Sequence, residues 1–341
     1  MNIRFHILWM MGLWVGAAHP CAAGPTGPSV PNRASSAGVR VMDLVRPLGG
    51  VAAPHDRNLR FEFRRGSGVR WEPDGRKMDV DGIRIWMHET VSRASGSWRM
   101  GKGDAERLAG PILRPAPYLA GWKGDWTTVV IDPGHGGIDS GAVSAGGLEE
   151  KQVVLDIARR VRTRLEAAGV RVVLTRDADD YVELNDRLAR ALIVRPFAFV
   201  SLHLNSAPST EAQGVETFIL SKAGQASTNA KDPSASPRYR SFPGNRQDAA
   251  NAILGFALHR QMIRGLRAED RGLRQARFQV LKNAPFPAVL LECAFLSNPK
   301  EAQKLNREAH LDAVADAVAA GVLEFRAIGE RARLQGFFFR S

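Results

Sequence analysis

Residues 128–142 read TVVIDPGHGGIDSGA. A β-branched apolar run stops at Asp132, and a glycine-rich turn follows with His135 inside it. TTVVID has the composition of a strand buried on both faces. The next segment, EKQVVLDIARRVRTRLEAAG, places Val153, Val154, Ile157, Ala158, Val161, Leu165 and Ala168 on one helical face, and Gly169 marks its end. Outward from there, VRVVLT reads as a strand, LNDRLARAL as a helix, and AFVSLHL and GVETFIL as strands. A helix over about 247–268 comes next, then strands FQVL and AVLLE. A last helix over about 310–326 carries Leu311, Val314, Ala315, Val318, Val322 and Phe325 on its apolar face. Strands alternating with helices predict an α/β layer domain. No internal repeat is present.

The turn after the first strand admits two chemistries. A dinucleotide fingerprint needs G-x-G-x-x-G, and Gly134 and Gly136 fit, but Asp139 stands where the third glycine belongs. A phosphate loop ending in Gly-Lys-Ser/Thr is absent. A metal reading gathers more support. His203 ends the strand AFVSLH, Glu292 ends AVLLE, and His135 lies just past a third strand. Open α/β sheets bind ligands at the carboxyl ends of their strands. Glu149 and Glu150 stand at the start of the long helix, beside the same turn, where a glutamate also suits the helix dipole. Two histidines and a carboxylate with an open fourth position are the ligand set of a catalytic zinc, and a further carboxylate can serve as general base. His6 and His19 fall in the N-terminal apolar region, His55 and His88 before the α/β segment, and His259 and His310 in helices, all away from strand ends. Ser201 is a strand residue with no nucleophile-elbow context, so a serine hydrolase is rejected.

The flanking segments set the organisation. MNIRFH followed by ILWMMGLWVGAA and CAAG reads as a secretory signal cut after Ala23, too short for a comfortable membrane span; an uncleaved anchor is the alternative. Cys21 leaves with the signal and Cys293 is then alone, so no internal disulfide forms. GPTGPSVPNRASSAG (24–38) is a linker. Residues 39–118 read as a small α+β module, with hairpin turns at Asp74-Gly75 and Asp81-Gly82 and a short helix in VRVMDLVRPLGG. Residues 119–125 form a connector, and 222–246 a long polar loop. The 47 Lys and Arg against 35 Asp and Glu give a net charge of +12, which favours anionic partners such as an acidic wall polymer. The charges are dispersed, so a merely solvated basic surface is the other reading. The export signal and the lack of an aromatic-interleaved basic patch argue against a nucleic-acid-binding role.

Five ordered blocks, IDPGHGGIDSGA, GLEEKQVVL, VLTRDADDYVELNDRLARA, FVSLHLNS and AVLLECAFLSN, resemble the zinc-dependent N-acetylmuramoyl-L-alanine amidases of bacterial cell-wall turnover. The resemblance covers about 127–325 and implies a three-layer domain over 126–328, a mixed, mostly parallel sheet flanked by helices, followed by a C-terminal tail over 329–341. It implies one zinc ion held by His135, Glu150 (the glutamate just before the lysine, not Glu149) and His203. Glu292 would be the catalytic glutamate, Asn205 and Arg187 would play supporting roles near the site, and Arg176 a structural one. The implied substrate is peptidoglycan, cut between the lactoyl group of N-acetylmuramic acid and L-alanine by an exported enzyme of the periplasm or cell envelope. The alternative is an inactive wall-binding module of the same fold. An activator is left open, and no integral membrane segment is expected after signal removal. Some relatives carry a helical plug between the second histidine and the last glutamate; here that region is rich in Ser, Pro and Asn. The N-terminal hairpins resemble the N-terminal-like domain of copper amine oxidases, with nothing to suggest copper.

Overall fold

The computed structural model describes residues 38–52, 59–63, 67–122, 124–229 and 240–338. The signal segment, nearly all of the linker, and the end of the C-terminal tail lie outside the described residues. The strands are β1 (Val39–Arg40), β2 (Val51–Ala52), β3 (Leu59–Glu62), β4 (Gly68–Trp71), β5 (Lys77–Val80), β6 (Ile83–Trp86), β7 (Ser92–Ala94), β8 (Ser97–Met100), β9 (Thr128–Pro133), β10 (Arg171–Leu174), β11 (Ala198–Asn205), β12 (Val215–Leu220), β13 (Asp270–Ala276) and β14 (Ala288–Phe295). Eleven of them form one sheet in the order β10-β9-β11-β14-β12-β13-β6-β5-β4-β3-β2, and β1, β8 and β7 form a second.

In the α/β part every neighbouring pair is parallel except β12 with β14. Residues of β9 and β12 are buried throughout, which is why those strands read as continuous apolar runs. One face is covered by helices Glu150–Ala167, Asp248–Leu266 and Glu308–Phe338, the other by Leu184–Val194 and the short Gln279–Lys282. The result is the expected three-layer arrangement. Val153, Val154, Ile157, Ala158, Val161 and Leu165 are buried as the helical spacing requires, while Ala168 is exposed at the helix end, where Gly169 turns the chain with φ 74°. Phe325 and Phe197 close on Trp126, with ring centroids 5.4 and 5.5 Å away.

Three features differ from the sequence reading. The last helix, expected over about 310–326, runs on to Phe338. The strand expected at FQVL is instead DRGLRQA, and Gln279–Lys282 is helical. DRGLRQA is polar in composition, but pairing with β12 on one side and β6 on the other holds it extended. The N-terminal hairpins also continue the main sheet: β6 pairs in parallel with β13 at Ile85 and Leu273. The Arg84 amide donates to Asp270 Oδ2 at 2.8 Å, and Trp86 Nε1 donates to the Arg271 carbonyl at 2.9 Å. The β5–β6 hairpin turns at Asp81-Gly82, both left-handed (φ 53° and 80°), as the DG signal predicts. Among the described residues, no helix is long and apolar enough to cross a membrane.

Candidate metal centre

The centre is built on three strand ends and one helix start. β9 runs into the turn holding His135, whose own backbone is left-handed at φ 58°, a conformation uncommon for a residue with a Cβ. Helix Glu150–Ala167 begins at Glu150, and β11 delivers His203. One ligand atom from each of His135, Glu150 and His203 lies within 4.8 Å of the others. Glu150 Oε1 sits 3.2 Å from His135 Nε2 and 3.1 Å from His203 Nδ1, and the two rings meet edge to face at 5.0 Å. The Leu204 amide donates to Oε1 and the Ala142 amide to Oε2, at 2.9 and 2.8 Å, so the carboxylate orientation is fixed. Glu149 points elsewhere, pairing with Lys151 and Gln152.

Burial opposes the Glu150 charge, but hydrogen bonds and charge from His135 and His203 outweigh it and hold its pKa far below the usual carboxylate range. Burial likewise lowers the His135 pKa, yet Glu150 and Asp139 together raise it above its ordinary value. Asp139 Oδ2 lies 2.8 Å from His135 Nδ1, an orientation that leaves Nε2 toward Glu150.

The turn is held by two arginines. Arg187 is buried and donates to Asp132 Oδ1 and to the carbonyls of Pro133 and His135, at 2.9, 2.7 and 2.7 Å. Arg176 donates to the carbonyls of Pro133, Gly134 and Lys151. Asp132, wholly buried, also accepts from Ser201 at 2.7 Å and from Thr175, which gives Ser201 a structural partner. The glycines of this turn make room for the ligands themselves. A Cβ at Gly134 would lie 2.3 Å from His203 Cε1, and one at Gly141 2.5 Å from Glu150 Oε2.

Glu292 is the direct cross-strand partner of His203 between β11 and β14, and of Glu216 between β14 and β12. Its Oε2 is buried and has no hydrogen-bond partner among the described residues. Burial, then the nearby Glu150 and Glu216 carboxylates, raise its pKa well above the usual range. A carboxyl so placed, with one oxygen free of hydrogen bonds, can exchange a proton with a group bound beside the candidate ligand triad. Asn205 reaches neither histidine by hydrogen bond: its Nδ2 donates to Glu216 Oε2 at 2.8 Å. Glu216 is 3% exposed and lies 3.2 and 3.1 Å from the Nε atoms of Arg271 and Arg274. Sequence reading passed over Glu216; a lone charge inside the apolar strand VETFIL was the available signal.

A family model described as N-acetylmuramoyl-L-alanine amidase matches residues 129–324. The amidase AmiC of Neisseria meningitidis serogroup B is 33% identical over 60% of this chain and 54% of its own length. The amidase LytC of Bacillus subtilis is 33% identical over 58% of this chain and 35% of its own. Among solved structures, the catalytic domain of the amidase CwlV from Bacillus (Paenibacillus) polymyxa superposes with a TM-score of 0.50 at 31% identity, covering 59% of this chain and 99% of that one. The match to these two relatives spans roughly a third to a half of their length, and the family model begins after the N-terminal hairpins of this chain. With more than half of the chain under the family model and the three candidate ligand residues inside the matched span, the chain belongs to the N-acetylmuramoyl-L-alanine amidase family.

Proposed function

We propose that the protein is a zinc-dependent hydrolase that cuts the amide between the lactoyl group of N-acetylmuramic acid and L-alanine in peptidoglycan. The observation that carries this reading is Glu292, a carboxyl with a buried, unpartnered oxygen, set one strand from His203 and beside the His135–Glu150–His203 group. Two imidazoles and one carboxylate, mutually within 4.8 Å, are a donor set that would hold a catalytic zinc. Bound there, zinc supplies Lewis acidity, lowering the pKa of water to about 7 and polarising a carbonyl.

The chain's own residues do the rest. Glu292 accepts the proton of the attacking water and returns it to the departing alanine nitrogen, so no covalent enzyme intermediate is needed. Arg187 and Arg176 hold the His135 turn against the strand ends, and Glu150 is aimed by two backbone amides. An exported enzyme acting in the envelope, in wall remodelling or cell separation, fits the N-terminal signal pattern and the basic surface. An inactive wall-binding module is disfavoured because binding alone has no need of Glu292 together with a ligand triad.

Mass analysis of fragments released from purified peptidoglycan tests the reading. Free peptides beginning with L-alanine, and glycans whose N-acetylmuramic acid residues carry free lactoyl carboxylates, are expected. Fragments cut within the glycan or between amino acids of the peptide would falsify it.

A further inference from the structure

A second feature stands at the carboxyl edge of the sheet. A cavity of 440 Å³ opens between two stretches that run directly out of the candidate centre. One wall is Ser144–Leu148, which links the His135 turn to Glu150; the other is Leu296, Ser297 and the Pro299–Leu305 helix, which follow the strand of Glu292. Both walls are tied down. The Ser144 amide donates to the Leu148 carbonyl at 2.9 Å, and its Oγ accepts from the Leu148 amide at 3.0 Å. The Leu296 amide donates to the Asn205 carbonyl at 2.7 Å, at the end of the strand that carries His203.

The chemistry of the wall is selective. None of its residues is charged, in a chain of which 24% are Asp, Glu, Lys or Arg. Its polar side chains are amides and hydroxyls, led by Gln152, Gln303 and Asn306, and Leu148, Leu296 and Ala302 add apolar surface. The volume falls in the range of small-molecule sites, roughly 300–1,000 Å³. A group bearing carboxylate or ammonium would lose hydration here without gaining a counter-charge. A neutral ring with hydroxyls, one amide and one methyl matches both the amides and the apolar surface.

We infer that this cavity takes an N-acetylhexosamine of the glycan strand. The inference rests on the amidase reading and deepens it: the glycan side of the scissile amide lies toward the Ser144–Leu148 wall, and the peptide leaves away from it. The charged groups of a wall peptide are the competing occupant.

Calorimetric titration of the purified, metal-loaded protein with tri-N-acetylchitotriose, the glucosamine trimer and an L-alanyl-γ-D-glutamyl tripeptide tests it. Gly146→Phe fills the cavity without disturbing the centre, since a Cβ at Gly146 meets only Ser144 Oγ, at 3.9 Å. Gln303→Ala, on an exposed helix residue, removes one amide without adding bulk. The acetylated trimer should bind at least about tenfold more tightly than the glucosamine trimer, and each substitution should weaken it by about tenfold or more at unchanged zinc content. Equal affinity for the two trimers, tighter binding of the tripeptide, or full affinity in both variants overturns the inference. An uncut lactoyl amide with intact trimer binding strikes the amidase reading and not the cavity. A cut amide with no trimer binding strikes the cavity alone.

Discussion

Gly134→Ala adds one methyl group and should unseat the proposed metal ligand His203. The built Cβ lies 2.3, 2.6 and 2.7 Å from Cε1, Nε2 and Nδ1 of His203, whereas carbon contacts settle at about 3.5–4.0 Å. The backbone cannot give way cheaply. The Gly134 amide donates to the Leu202 carbonyl at 3.0 Å, and its carbonyl accepts from Arg176 at 2.7 Å. The ring must therefore withdraw by about 1 Å or more. Metal–ligand bonds tolerate about ±0.2 Å, so His203 leaves the ligand set. Disturbing an outer partner of a ligand already lowers metal affinity about 10–100-fold, and displacing the ligand itself should exceed about 100-fold. Zinc competition against a chromophoric chelator measures this. Overpacking should also lower the stability of the metal-free protein by about 1–3 kcal/mol. Gly146→Ala, with only a 3.9 Å neighbour, is the matched control and should change neither quantity. Zinc affinity within a few-fold of wild type in Gly134→Ala would refute the placement of His203 as a ligand.

Three further outcomes follow from the geometry. Glu292→Gln should retain zinc and lose turnover by about 10²–10⁴-fold in dye release from labelled sacculi; wild-type rates would end its role as proton carrier. Asp104 is fully buried, accepts from the amides of His88 and Glu89, and holds the Lys222 ammonium at 2.9 Å, joining the N-terminal hairpins to the loop after β12. Burial opposes its charge, but His88 and Lys222 win and depress its pKa. A depressed carboxyl stabilises the fold above its unfolded pKa of about 3.9 and loses that contribution as pH falls toward its folded value. Asp104→Asn should thus cost about 3–5 kcal/mol at pH 7 in urea melts, with the gap narrowing below about pH 4; a pH-independent gap contradicts the ion pair. Arg187→Lys keeps the charge but cannot span Asp132, Pro133 and His135 at once, and should weaken zinc binding about 10–100-fold; an unchanged affinity would show that the turn needs no such brace.

How much of this was legible in the sequence depends on whether a feature is local. Helical faces and buried parallel strands repeat within a few residues, so Val153 to Leu165 and TVVID could be read directly. His135, Glu150, His203 and Glu292 were legible as residues at strand ends and a helix start. What lay beyond reach was pairing between distant segments. DRGLRQA extends only because β12 and β6 flank it, and its own composition argues for a loop. Glu216 depends on register: it faces Glu292 because β12 runs antiparallel to β14 at that offset, and a slip of one residue would turn it to the opposite face, where Thr217 bonds His259. The same register sets His203 opposite Glu292, and Asn205 reaches this row through Glu216. The candidate centre is therefore a row across three adjacent strands, β11, β14 and β12, completed by the His135 turn and Glu150. A substitution that shifted β12 against β14 would disturb Asn205 and Glu292 together while leaving every ligand in the sequence intact.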